Sequence, residues 1–344
     1  MKPSFYQLNF SSLESLLSDN QLSVSGATLL YNWHYKQKRI EPCTRNLALA
    51  TQQYIRENFS FDLPVIAETH VSTDQTVKFL VKLNDGFNVE AVLIPFQSKY
   101  TLCLSTQVGC AMNCSFCFTG TQGLKRNLKT EEIIGQFIVA GRWLNEFRPN
   151  GNLLKNIVFM GQGEPLHNFD AVKSACEIFL DQHGTSLGVQ KITVSTAGYL
   201  PGLLRWNDEM PGVNIALSLH SPFAEKRNGL IPINRRYPLE EVLAYIDQIP
   251  LKRKQYIIYE YLLIKNYNDT EMDAHATAQL LNGKQAIINL IPFNPFPGSN
   301  FERPEEKQVE SFQKILEGYK LPAIIRGTKG NDILAACGQL NTKS

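Results

Sequence analysis

The chain of 344 residues predicts an α/β fold whose strands and helices alternate from about residue 101 onward. Three observations carry this. Short apolar, β-favouring runs recur at 101–105, 156–160, 191–195, 214–218, 256–261 and 286–291. Helix-like stretches such as 130–144 and 239–246 lie between them. The connections are too long for hairpins, and repeated strand–helix units build a parallel sheet. Six such units are fewer than a closed eight-fold barrel needs, so a partial (β/α)6 barrel is expected, with its chemistry at the C-terminal strand ends.

The remaining elements follow in chain order. Residues 1–60 read as a small helical domain: Leu13, Leu16 and Leu17 form one apolar stripe, and 27–35 and 48–55 are two further helices. Residues 61–100 read as a β-hairpin extension, with runs at 77–83 and 87–94 around the turn Asn84-Asp85-Gly86. Residues 101–344 form the partial barrel and a C-terminal cysteine segment.

Composition narrows the function classes. Hydrophobic residues make up 43%, which excludes a disordered chain. No apolar run approaches the ~20 residues of a membrane span, so no membrane association is expected. The start, Met1-Lys2-Pro3-Ser4-Phe5-Tyr6-Gln7, lacks the apolar stretch of a signal peptide, and the seven cysteines show no disulfide framework. A cytoplasmic protein is expected. The net charge of +2 argues neither for nor against nucleic acid. Short basic runs such as Lys36–Arg39, Lys125-Arg126 and Arg235-Arg236 are more often solvated faces than RNA contacts.

Cys110, Cys114 and Cys117 carry the strongest chemical signal, with the spacing C-x3-C-x2-C. Three thiolates can hold three irons of a 4Fe–4S cluster and leave the fourth open to a small molecule. A zinc site would need a second ligand pair, which the other cysteines and histidines do not supply, and a lone C-x2-C redox pair would not need the third thiol. Polar groups then fall at the expected strand ends. Gly163 and Glu164 follow the second strand; the glycine allows close backbone approach, and the glutamate can accept from an ammonium group. Ser195 ends the third strand, Ser218-Leu219-His220 the fourth, and Asn294 follows the sixth. Such groups suit the hydroxyls and carboxylate of a nucleoside ligand. Each motif taken singly also reads as a plain turn, cap or structural histidine.

Two further cysteines stand apart. Cys103 lies on the strand that enters the cysteine loop, and Cys337 lies in Ala335-Ala336-Cys337-Gly338-Gln339-Leu340. Either reads as a buried apolar thiol, as Cys43 and Cys176 do, or as half of a thiol-exchange pair if the fold brings the two together.

From about residue 77 to 341 the chain resembles the RlmN/Cfr family of radical S-adenosylmethionine (SAM) RNA adenosine methyltransferases. The likeness is carried by Thr101-Leu102-Cys103, Gln107-Val108-Gly109-Cys110, Lys125-Arg126-Asn127-Leu128, Gly163-Glu164-Pro165, Ser218-Leu219-His220, Pro232-Ile233-Asn234, Asn294-Pro295-Phe296-Pro297-Gly298 and the Cys337 segment. It implies a radical SAM barrel with an RNA-binding helical appendage. It implies a 4Fe–4S cluster on Cys110, Cys114 and Cys117, and SAM bound by Gly163, Glu164, Ser195, Ser218, Leu219, His220 and Asn294, two molecules per turnover. In this resemblance Cys337 carries the methyl group, Cys103 resolves a covalent RNA–protein adduct through a transient disulfide, and Glu90 is the general base. Radical chemistry is needed because the adenine carbon is not nucleophilic enough for ordinary methyl transfer. The implied partners are ribosomal RNA, tRNA in some members, and an electron donor such as flavodoxin; a monomer is expected.

Val108 and Ala111-Met112-Asn113 look like the branch that methylates adenine C2. The C8-methylating branch and a catalytically inactive RNA-binding assembly factor are the alternative readings. The segment Thr328–Leu334 departs from the family pattern, with Lys329, Asn331 and Leu334 where Arg, Asp and Asp are usual, and the N-terminal helices match poorly.

Overall fold

Backbone hydrogen bonding joins ten strands into one open sheet in the computed structural model, which describes residues 2–43, 45–148, 153–253 and 255–342. The first four strands, β1 (Val65–Val71), β2 (Val77–Lys82), β3 (Asn88–Phe96) and β4 (Lys99–Cys103), pair antiparallel in sequence order. Two short strands, β5 (Gln107–Val108) and β6 (Arg126–Asn127), form a separate ribbon flanking the cysteine loop. The sheet continues from β4 through β7 (Leu153–Phe159), β8 (Ile192–Thr196), β9 (Asn214–Ser218), β10 (Ile257–Leu263), β11 (Ala286–Pro292) and β12 (Ala323–Ile325), all parallel. The fold is therefore the expected α/β class, an open sheet with β1 and β12 at its edges.

Two strands extend the sequence reading. The expected hairpin is β2 and β3, but β1 precedes it and joins it to a four-stranded meander. The strand β1 is exposed along nearly all of its length, so it lacks the alternation that reveals a half-buried strand. The three residues of β12 are too few to show a pattern. At the turn between β2 and β3, Gly86 has φ +93°, a conformation that suits glycine.

The two faces of the parallel sheet differ. Leu102, Ile157, Phe159, Ile192, Val194, Ile215, Leu217, Tyr259, Tyr261, Ile288 and Leu290 belong to the main core. Helices Thr130–Phe147, Phe169–Leu180 and Leu239–Ile246 cover this face with their own apolar stripes. The alternate strand residues point the other way, so Cys103, Val158, Ser195, Ser218, Glu260 and Asn289 share the inner face. The N-terminal helices Phe10–Asp19 and Ser25–Tyr31 dock through Leu13, Leu17 and Tyr31, and Phe5 of the preceding turn packs with them. No helix among the described residues is long and apolar enough to cross a membrane.

This division of faces predicts a contrast. Ile288→Ala, in the core face of β11, costs about 3 kcal/mol and lowers the melting temperature by several degrees. Ile324→Ala, at the exposed edge strand, stays within about 0.5 kcal/mol of the parent. Thermal melts of the two variants check it.

Candidate active site

The cysteine loop leaves β5 through Gly109, which has φ +74°. A Cβ there would fall 1.8 Å from the Gly123 carbonyl, so the two ends of the loop cross as only glycine permits. Cys110 N–H donates to Gly123 O at 3.2 Å, and Cys117 N–H to Cys114 O at 3.2 Å. Ser115 ties the loop to the end of helix Ala224–Leu230, donating from N–H to Leu230 O at 3.1 Å and from Oγ to Gly229 O at 2.9 Å. Cys110 is buried; Cys114 and Cys117 are half-buried. Burial pushes the Cys110 thiol up to about 12 and raises Cys114 and Cys117, and the neighbouring thiols add to the rise at Cys110 and Cys114. Three thiols that influence one another's ionisation share one site, and metal binding there must release their protons.

Among the described residues, no three His, Cys, Asp or Glu side chains converge as a single metal ion requires. A cubane puts each thiolate on a different iron, so its ligands need not meet at a point. The all-thiol donor set thus fits a 4Fe–4S cluster better than zinc.

The strand ends beside the loop are held by buried polar bonds. Gly163 has φ +104°, and a Cβ there would lie 2.6 Å from Gln107 Cβ. Glu164 is buried; its Oε1 accepts from Leu166 N–H at 3.1 Å and its Oε2 from Ala197 N–H at 2.8 Å. Burial raises its carboxyl to about 7 against those bonds. The Thr196 side chain also hydrogen-bonds this carboxyl. Ser195 and Ser218 are half-exposed on the inner face. The Leu219 side chain lies in the core, so Leu219 can offer a ligand only its backbone. His220 is buried with φ +54°; its Nδ1 accepts from Leu262 N–H at 3.0 Å, and Phe116 of the cysteine loop meets its ring edge-on at 4.8 Å. Burial and the Arg227 charge lower it to about 3, so it is neutral. The Asn294 amide is also engaged: Nδ2 donates to Cys337 O at 3.4 Å, and Oδ1 accepts from Thr328 Oγ1 at 2.8 Å and Arg303 at 3.2 Å.

The C-terminal segment closes the site. Ala335 and Leu340 pack with Val92 and Cys103 on the inner face of β3 and β4. Cys337, between them, remains exposed, and Cys103 is buried. The two thiols are near enough for Cys337 to raise the Cys103 pKa further, although burial is the larger cause. Phe118 N–H donates to Gly338 O at 2.7 Å and Thr119 Oγ1 to Leu340 O at 2.8 Å, which binds the segment to the cysteine loop. Glu90 holds it from the other side: Oε2 accepts from Asn341 N–H at 2.7 Å, and Oε1 pairs with Lys78 Nζ at 2.9 Å. Lys78 also donates to Leu334 O at 3.3 Å. Cys337, far away in sequence, is therefore brought to Cys103, Glu90 and the cysteine loop.

The residues matched by the Radical SAM superfamily model, 104–278, span the cysteine loop and the strand ends as far as His220, but not Asn294. A dual-specificity RNA methyltransferase RlmN of Rhodopseudomonas palustris is 43% identical over 92% of this chain and 83% of its own length. That of Nitratiruptor is 40% identical over 92% of this chain and 93% of its own. The crystal structure of a radical SAM methyltransferase from Sphaerobacter thermophilus superposes with a TM-score of 0.90 at 35% identity, covering 98% of this chain and 99% of that one. The chain belongs to the RlmN family of radical SAM RNA methyltransferases. Membership implies a 4Fe–4S cluster and SAM as cofactors.

Against this RlmN frame, the sequence reading missed several charged groups. Lys78 is one. Glu260 is another: it is buried on β10, accepts from Asn289 Nδ2 at 2.8 Å, and is raised to about 7 by burial. Its charge and that of Arg326 both reach Cys337. Period-2 reading of β10 would have flagged a charged residue inside an apolar strand, which is the available signal. Arg126, in the basic run Lys125-Arg126, is paired within the protein. Its guanidinium is taken up by Asp85 at 2.6 Å and Glu132 at 2.8 Å. Arg235 and Arg236 are exposed.

The departures at 328–334 also have physical consequences. Lys329 lies 3.8 Å from Asp74, and Asn331 Oδ1 accepts from Gln339 Nε2 at 2.9 Å. Leu334 has φ +51°, left-handed backbone that Asp and Asn adopt more readily. Leu334→Asn should therefore raise stability by about 0.5 kcal/mol or more, read as a higher melting temperature.

The Lys78–Glu90 pair predicts a pH signature. Burial raises Glu90 above the usual carboxylate range, and Lys78 opposes that rise. In Lys78→Met the folded value climbs further, so the folded protein keeps a proton that the unfolded chain gives up. The variant is least destabilised below the ordinary carboxylate range and loses stability as pH rises through the raised folded value, by about 3 kcal/mol at the plateau. Urea denaturation at pH 5 and pH 8 should show the larger deficit at the higher pH.

Proposed function

We propose that this chain methylates C2 of an adenosine in 23S ribosomal RNA, and of tRNA, through an S-methylated Cys337. One observation carries the reading: an exposed Cys337 lies on the same inner face as a buried Cys103, between the cysteine loop and Glu90. The names of the RlmN relatives and the C2-type residues Val108 and Ala111-Met112-Asn113 support the base and the position.

Cys110, Cys114 and Cys117 would hold the cluster, and Glu164, Ser195 and Ser218 with the backbone near Gly163, Leu219 and His220 would bind SAM. When bound, these cofactors supply a 5′-deoxyadenosyl radical after one electron enters from a donor such as flavodoxin. Cys337 would give up its thiol proton and receive a methyl group from one SAM, with a second SAM supplying the radical chemistry, two per turnover. The Cys337 S-methyl carbon, after losing a hydrogen atom, bonds to the adenine carbon. Glu90, paired with Lys78, would accept the proton leaving that carbon, and the unpaired electron of the adduct would leave to the one-electron carrier that the bound cofactors supply. The Cys103 thiolate then attacks the Cys337 sulfur. The sulfur–carbon bond breaks, a disulfide forms, and the released carbon takes a proton to become the methyl group. On this reading the enzyme works as a cytoplasmic monomer, and external thiols reduce the disulfide before the next turnover.

The test separates the two thiols. Cys103→Ala should still accept a methyl group on Cys337 and stall as a covalent RNA–protein adduct on denaturing gels with labelled RNA. Cys337→Ala should form neither adduct nor methylated RNA. Mass spectrometry of product from the parent enzyme distinguishes 2-methyladenosine from 8-methyladenosine. Free product from Cys337→Ala, or no adduct from an iron-loaded Cys103→Ala, would refute the assignment.

A further inference from the structure

Arg227 is fully buried in helix Ala224–Leu230, and none of its bonds goes to a carboxylate. Its Nε donates to Leu219 O at 3.1 Å. Its Nη2 donates to Ala197 O and Ser218 O, both at 2.9 Å, and its Nη1 to Asn234 Oδ1. Four neutral oxygens satisfy its N–H groups but leave its charge uncompensated. Burial lowers its pKa only to about 10, so it is a cation at neutral pH.

A buried cation without an anion is costly, and an apolar side chain of similar size would usually cost less. What acts on the charge here is the sulfur of Cys114 first and the exposed Glu240 second. The same helix fixes the cysteine loop, because Gly229 and Leu230 accept both bonds from Ser115, the residue after Cys114. The guanidinium is thus held beside one end of the cysteine loop by groups that cannot neutralise it.

We propose that Arg227 is a positioning residue that sets the reduction potential of the cluster, its fixed positive charge favouring the reduced state beside Cys114. The inference rests on the reading of Cys110, Cys114 and Cys117 as iron ligands. Reduction adds one electron to the cluster and makes it more negative by one charge. A nearby cation in a poorly screened interior stabilises the reduced form more than the oxidised one. Arg227 also joins the ends of β8 and β9, so hydrogen bonding and charge must be tested apart.

The experiment is an EPR-monitored redox titration of anaerobically reconstituted protein, with dithionite as reductant and without RNA or SAM. Arg227→Gln removes the charge. Asn234→Asp puts a carboxylate against the guanidinium at nearly unchanged volume, and so neutralises the charge in place. Arg227→Lys keeps it. The midpoint should move to more negative potential in Arg227→Gln and Asn234→Asp and stay nearer the parent in Arg227→Lys. An unchanged midpoint in iron-loaded Asn234→Asp overturns the proposal. So does a failure of both Asn234→Asp and Arg227→Lys to hold iron, since Arg227 would then be only a scaffold. If the parent protein itself holds no iron, the ligand reading fails instead.

Discussion

The carboxylate of Glu90 lies inside the protein, and the site depends on how that charge is met. Lys78 supplies the opposite charge from the neighbouring strand β2, and the Asn341 N–H supplies a hydrogen bond from the C-terminal segment. Because Lys78 also holds the Leu334 carbonyl, the stretch around Cys337 is gripped at both ends by one ion pair. Gln339 braces it from within, donating to Pro295 O at 2.7 Å and accepting from Ala336 N–H at 3.2 Å. A segment with so little regular structure keeps its place because buried polar groups need partners, and its backbone supplies them.

The same demand explains what was legible in the sequence. The parallel strands could be read because each is short, apolar and buried against helices on one side. The cysteine triplet could be read because its ligands are local. Neither condition holds for β1, which lies exposed at the sheet edge, or for β12, which has three residues. Nor could the residues alone show that Cys337 lies near Cys103, since 233 intervening positions separate them. Lys78 alternates with apolar residues as a solvent-facing strand position would, and Arg227 sits in a polar run that looks like solvated surface. Their burial is a tertiary outcome, set by which strand face the C-terminal segment covers and by where the helix after β9 turns inward.

Charge is distributed around the inner face with a pattern. Glu164 and Glu260 are buried acids whose ionisation is suppressed, each steadied by hydrogen bonds from neutral donors. Arg227 is a buried cation held by neutral acceptors. None has its full counter-charge within the protein, whereas Glu90 does. A stable fold built for packing alone would replace such groups with apolar ones. Their retention fits a face that meets charged molecules: an ammonium and carboxylate on one ligand, and an anionic cluster on the loop beside it.

The two thiols of the proposed chemistry differ in the way their tasks require. Cys103 is fixed on a strand, buried and strongly biased against ionisation. Cys337 sits on irregular backbone, exposed, between Ala336 and the left-handed Gly338. A methyl carrier must reach a base and a cofactor, so it belongs on the exposed partner. A resolving thiol must stay silent until an adduct forms, or it would seal the carrier in a disulfide before methylation. Burial keeps Cys103 protonated and therefore poorly nucleophilic. Burial biases both sulfurs against ionisation, raising Cys337 to about 11 and Cys103 further, so the difference in desolvation favours reaction at Cys337 first.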